Sequence, residues 1–146
     1  MDELIKLLDA DMEYVSHEIL SDVINIYVES SRSSAVCPYC GIESSRVHSR
    51  YERRFSDLPI QGKQVEIVLN NRKYLCGNSD CPHKRFAETF SCFPYKGKRS
   101  KRLTEEVIRV SMEVSSVTAS SMLGKSVAKV GKSTICNLLK KSRACD

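Results

Sequence analysis

Apolar residues recur along this chain at two spacings, and the switch between them divides it. Over residues 2–9 (DELIKLLD), Leu4, Ile5, Leu7 and Leu8 gather on one helical face and predict a short helix. Residues 19–29 (ILSDVINIYVE) are rich in β-branched and aromatic side chains and predict a strand. The serine-rich ESSRSSAV that follows reads as a connector. Beyond it the period is two. A strand near residues 47–57, a turn over 58–62 holding Pro59 and Gly62, and a strand near 63–75 in which Val65, Ile67 and Leu69 alternate together predict a hairpin. The basic run FPYKGKRSKR, broken by Pro94 and Gly97, reads as a linker.

After the linker the period becomes helical. Leu103, Val107, Val110 and Val114 share a face, with Thr104 a candidate N-cap ahead of Glu105 and Glu106. A second helix is predicted over residues 117–124, ending at Gly124. A third has Ile135, Leu138 and Leu139 facing inward, Ser133 as candidate cap, and Lys140, Lys141 and Arg143 towards its end. Three short helices with a glycine-containing turn before the last suggest a helix-turn-helix. The predicted fold is therefore α+β: a small β-rich module followed by a three-helix module. Its divisions are an N-terminal helix and strand segment (1–36), the cysteine-bearing module (37–93), a basic linker (94–102) and the helices (103–146).

Composition narrows the class. With 146 residues, 41% apolar, 28% charged, and ten glycines and prolines in all, the chain is of globular type. It lacks the run of about 18 apolar residues that spans a membrane, and its acidic opening is unlike a secretory signal. A cytoplasmic location with no membrane partner is expected. Seven cysteines in a reducing compartment point to metal before disulfides. The net charge of +5 is unevenly spread: residues 1–36 carry −6, residues 37–103 carry +8 and residues 104–146 carry +3. A basic stripe of this kind favours a polyanionic partner.

Cys37-Pro-Tyr-Cys40 and Cys76-Gly-Asn-Ser-Asp-Cys81 form two close pairs separated by the predicted hairpin. Tetrahedral zinc needs four thiolates at about 2.3 Å, and two tight turns joined by a hairpin supply them. The arrangement is that of a zinc ribbon with one structural Zn2+, whose four sulfurs leave no position for a catalytic water. A lone CPYC would suit a thioredoxin-type site, but that reading needs neither the second pair nor this strand-rich spacer. His48 and His83 lie near the site and are weaker ligand candidates. His17 reads as a surface or cap residue, and Cys92, Cys136 and Cys145 have no partner at ligand spacing.

Two GKS segments, at Gly124 and Gly131, are not phosphate loops: the glycine required five residues earlier is Ala119 in one case and Ser126 in the other. HExxH and GxSxG are absent, and Asp57 in SDLP reads as a turn or cap residue.

The CPYCG segment, HSRYERRFSDLPIQGKQVEIVLNNRKYLC, CPHKRFAETF, the basic linker and GKSTICNLLKK together resemble the N-terminal region of bacterial insertion-sequence transposases of the ISL-three family, over about residues 20–142. The resemblance implies a zinc ribbon and a helix-turn-helix that bind the element's terminal inverted repeats in double-stranded DNA. Family members continue into an RNase H-like catalytic domain. No catalytic carboxylate of that domain can be placed here, so a truncated DNA-binding portion rather than an enzyme is expected. In such a module Lys132, Ser133, Thr134 and Asn137 would open the recognition helix towards phosphates and base edges, with Lys140 and Lys141 on phosphate. Arg50, Arg53, Arg54, Arg72 and Lys73 beside the hairpin, and Lys98, Arg99, Lys101 and Arg102 in the linker, are further candidates for the DNA backbone. The competing expectation is a zinc-stabilised interaction module whose acidic residues 1–36 contact a full-length transposase or a second copy.

Overall fold

A computed structural model describes residues 1–113, 116–126 and 131–144, without the side chains at 116, 119, 124–126 and 141–144. Cys145, set aside above as a non-ligand, lies outside the described residues. The fold is mixed α+β, built on a five-stranded sheet.

The hairpin forms as the alternation predicts, but it is longer. Strand β5 (Val47–Ile60) and strand β6 (Lys63–Leu75) pair antiparallel across a two-residue turn. Gln61 and Gly62 both take positive φ, 50° and 78°, which is the backbone of the tight hairpin turns whose twist matches the strands. Pro59 therefore sits inside β5, at the irregularity between Asp57 and Ile60 where the ladder is interrupted.

The N-terminal segment differs from expectation. Helix α1 (Asp2–Leu8) is followed by two strands rather than one: β1 (Met12–Ile19) and β2 (Val23–Ser30), paired antiparallel. The first was hidden because it is a sheet edge where only Met12 is buried, so its residues carry no apolar alternation. β2 then pairs parallel with β6, giving the order β1-β2-β6-β5. Residues 1–36 are thus part of the sheet and not a separate segment. Paired residues share a face, and Ile26, Val28, Phe55, Val65, Ile67 and Leu69 form the core with Ile5 and Met12. Phe90 and Phe93 join it, and Phe93 stacks on Phe55 with centroids 3.9 Å apart.

Two short strands, β3 (Ala35–Val36) and β4 (Glu43–Ser44), pair around the first cysteine turn, and β7 (Arg85–Ala87) pairs with the end of β6. Neither small pairing was predicted: runs of two or three residues are too short to show a period.

The stretch expected as a linker is docked. The Ser56 amide donates to Lys98 O, and the Ser100 amide returns a bond to Ser56 O, so residues 98–100 lie along β5 as a short parallel bridge. Helix α2 (Lys101–Glu113) begins there, two residues earlier than the apolar period suggested. Its cap is Ser100, not Thr104: Ser100 Oγ accepts from the Leu103 amide at 3.3 Å and donates to Asp57 Oδ1 at 2.7 Å. Arg102 Nε adds a 2.7 Å bond to the same oxygen, and its Nη2 pairs with Asp57 Oδ2. Asp57 is almost wholly buried and ties the sheet to the helix.

Helices α3 (Ser116–Ser126) and α4 (Lys132–Ala144) complete a small bundle with α2 around Leu103, Val107, Leu123 and Ile135. Leu58 of β5 packs on its edge. α3 continues through Gly124 rather than ending there. α4 starts one residue before Ser133, which stands in its first turn, while Gly131 O accepts from the Ile135 amide.

Candidate functional site

The two predicted cysteine pairs converge at the zinc end of the sheet. All four sulfurs of Cys37, Cys40, Cys76 and Cys81 lie within 4.8 Å of one another, with Cys37 to Cys81 at 4.0 Å and Cys40 to Cys76 at 3.5 Å. A tetrahedral ion with sulfur at about 2.3 Å requires sulfurs about 3.8 Å apart, so the set fits zinc.

The backbone fits it as well. The first turn is closed by the Gly41 amide on Cys37 O and the Cys37 amide on Ile42 O, with Gly41 at φ 77°. The amide of Ile42 donates to Cys40, that of Asn78 to Cys76 and that of His83 to Cys81, each two residues beyond its cysteine. Such bonds stabilise a thiolate. At Cys40 the Ile42 amide leads in bringing the thiol down to about 7. At Cys76 the Asn78 amide also lowers, but desolvation and the neighbouring cysteines outweigh it and push the thiol up to about 12. Four adjacent thiols cannot all ionise without a cation among them, and a divalent metal supplies that charge.

Behind the sulfurs lies a small apolar cluster in which Cys37 and Cys81 pack with Tyr74 and Phe86. Buried Glu88 receives Arg72 Nη2 at 3.0 Å and the Tyr74 hydroxyl at 3.2 Å, anchoring the chain after β7. His83 stacks on Tyr39 at 3.6 Å, and His48 contacts Ser49; neither belongs to the sulfur cluster. Tyr14 bonds His17 at the surface. Burial pushes the Cys92 thiol up to about 12, the state of an inert core cysteine.

The predicted DNA-contacting residues do not share one surface. On β5, Arg50 and Arg54 alternate with Arg53, which places them on the opposite face of the sheet. Arg54 is drawn to Glu52 at 2.6 Å and to Glu66 at 3.5 Å, so its charge is largely matched. Arg53 Nη2 donates to Tyr95 O at 3.2 Å, and its guanidinium covers Phe55. Arg72 and Arg102 depart from expectation: both are held in ion pairs with buried carboxylates, Glu88 and Asp57, and serve the fold. Lys73 is exposed above the Tyr51 ring, Lys101 is exposed, and Arg99 is half-buried in the docked strand. On α4, Lys132, Ser133, Asn137 and Lys140 are exposed and Thr134 is half-buried, while the Lys141 side chain lies outside the described residues.

Sequence reasoning missed Tyr39, Tyr95, Arg85 and Lys96, which meet Tyr51 and Lys73 around a cleft of about 540 Å³. The signal was aromatic residues interleaved with cations, present in FPYKGKR and passed over as linker composition.

Among the described residues, no helix is long and apolar enough to cross a membrane. Residues 33–81 match the family described as the zinc-finger of transposase IS204/IS1001/IS1096/IS1165. The match spans the cysteine turns and the whole hairpin. No curated protein and no solved structure matches the chain.

Proposed function

We propose that this chain is a DNA-binding module of a transposase, recognising the terminal repeats of its element through the zinc ribbon and the helical bundle, and binding DNA without cutting it. The observation that carries the reading is the coincidence of a four-thiolate zinc site with a transposase zinc-finger match over the same residues. The helices support it. α4 buries Ile135 and turns Lys132, Ser133, Asn137 and Lys140 to solvent, the division expected of a helix that enters a major groove. The +8 charge of residues 37–103 adds a phosphate-attracting surface.

The test is the pair Lys132→Gln and Lys140→Gln, assayed on a duplex carrying the DNA that flanks the gene. Each lost phosphate contact should lower the salt slope by about 1, so the double variant should bind about tenfold or more weakly with a slope reduced by about 2. An unchanged affinity and slope would remove α4 from the interface.

A second reading has its own observation. β1 is an edge strand with Val15 and Ile19 exposed, α1 exposes Leu4 and Leu7, and this surface is acidic. Edge strands with exposed apolar residues accept other chains, so this end can serve contact with a transposase or a second copy. Deleting residues 1–36 would remove two strands of the sheet, so point changes test it better: Ile19→Lys with Leu7→Lys should abolish self-association and leave DNA affinity intact.

A further inference from the structure

We propose that the cleft between the first cysteine turn, the β5–β7 end of the sheet and the 93–97 loop binds an unpaired nucleotide of the DNA, stacking its base on tyrosine and holding its phosphate on lysine and arginine. The inference rests on the DNA-binding reading above and adds a distinct substrate form: strand outside the duplex.

The cleft is made by the sheet itself. Along one face the core residues Phe55 and Leu69 give way to Arg53, Tyr51 and Lys73, so an apolar surface becomes an aromatic and cationic one within a few residues. Tyr39 from the cysteine turn and Tyr95 from the loop form the walls, with their phenols hydrogen-bonded to each other. The loop is anchored in this position by Arg53, whose Nη2 donates to both Pro94 O and Tyr95 O. Lys73, Arg85 and Lys96 line the cleft and carry exposed side chains. Its one carboxylate, Glu88, is already matched by Arg72.

The chemistry selects the ligand. A free phosphate would need the cations but not three tyrosines. A duplex presents its bases edge-on within grooves, and it meets protein through elements that protrude, whereas this site is concave. At about 540 Å³ the cleft has the size of a small-ligand site. Aromatic faces joined to a cationic groove are the means by which proteins hold single strands, because every base has a π-face and every nucleotide a phosphate. Tyr95 is 69% exposed and offers its ring for stacking, while Tyr39, 50% exposed, has one face taken by His83 and the other left for a base.

The experiment compares four fluorescent probes on zinc-loaded protein: a blunt duplex, the same duplex with a five-nucleotide 3′ overhang of thymidines, a thymidine dodecamer and a uridine dodecamer. The overhang should bind about tenfold tighter than the blunt duplex, the scale of one stacked base. Tyr95→Ala should remove most of that advantage and leave blunt-duplex affinity unchanged, whereas Lys73→Gln should weaken the overhanging duplex more than the blunt one. The chain contains no tryptophan, so quenching of tyrosine emission by the overhang, reduced in Tyr95→Ala, reports stacking directly. Equal affinity for blunt and overhanging duplex, or equal losses on both in the variants, would overturn the cleft assignment while duplex binding stands. A uridine dodecamer bound more tightly than the thymidine one would overturn the assignment to DNA. Failure of all probes to bind would overturn the DNA-binding reading with it.

Discussion

Replacing Cys37 with serine should strip the zinc and unfold the cysteine end of the molecule while leaving the main sheet standing. Cys37 is fully buried, so its sulfur is both a ligand and part of the packing with Tyr74 and Phe86. Without the metal, Cys40, Cys76 and Cys81 lose the cation that permits them to ionise together, and the two turns lose the tie between them. The β3–β4 pair and β7 have little else: they are two or three residues long and far below the length at which strands persist alone. Structural zinc in small domains contributes an apparent ~10–16 kcal/mol. The core of Ile26, Val28, Phe55, Ile67 and Leu69 is separate from the sulfur cluster and should keep its cooperative transition. Metal analysis should find one zinc in the parent chain and none in the variant, and hydrogen exchange should rise over residues 35–46 and 76–87 while β2 and the centre of β6 stay protected. Zinc affinity in the parent should also fall as pH is lowered, because protons compete for the thiolates. A variant that kept its zinc would show that the four sulfurs are not the site.

The second large effect is expected at the junction between sheet and helices. Arg102→Ala leaves the Asp57 carboxylate buried with Ser100 as its remaining side-chain donor. Removing one partner of a buried pair costs about 3–5 kcal/mol, and since the Arg102 side chain is 41% exposed we expect the lower end or below, about 2 kcal/mol. The loss should fall on α2 first, because Asp57 orients Ser100, which caps that helix. Asp57→Asn, which takes the charge out of the interior and keeps an oxygen for Ser100, should cost less. Urea unfolding of the two variants compares them directly; an Arg102→Ala protein as stable as the parent would show that the junction does not depend on the Arg102–Asp57 pair.

The hairpin and the metal site were readable because their signals are local or countable: alternation through Val65, Ile67 and Leu69, and two cysteine pairs flanking it. The parallel pairing of β2 with β6 was not, since it joins residues some forty positions apart and leaves no periodic trace. β1 escaped for a related reason, as an edge strand whose exposed residues hide its period. The run after Phe93 was misread because basic composition marks solvent exposure, whereas here backbone bonds to Ser56 dock it regardless of side chains. Charge alone also could not separate Arg72 and Arg102, each matched to a buried carboxylate, from Lys73 and Arg85, which are exposed. The partners that decide this, Glu88 and Asp57, lie 16 and 45 residues away.

Binding of the zinc-loaded protein to the duplex that flanks its gene, titrated in salt beside a scrambled duplex and repeated after chelation, is the most direct test of a zinc-dependent DNA-binding module. The flanking duplex should be preferred, its affinity should fall by about 10³-fold or more between 50 and 200 mM salt if six or more phosphates are contacted, and chelation should abolish the preference. Equal binding to both duplexes, insensitive to salt and to the chelator, would contradict it.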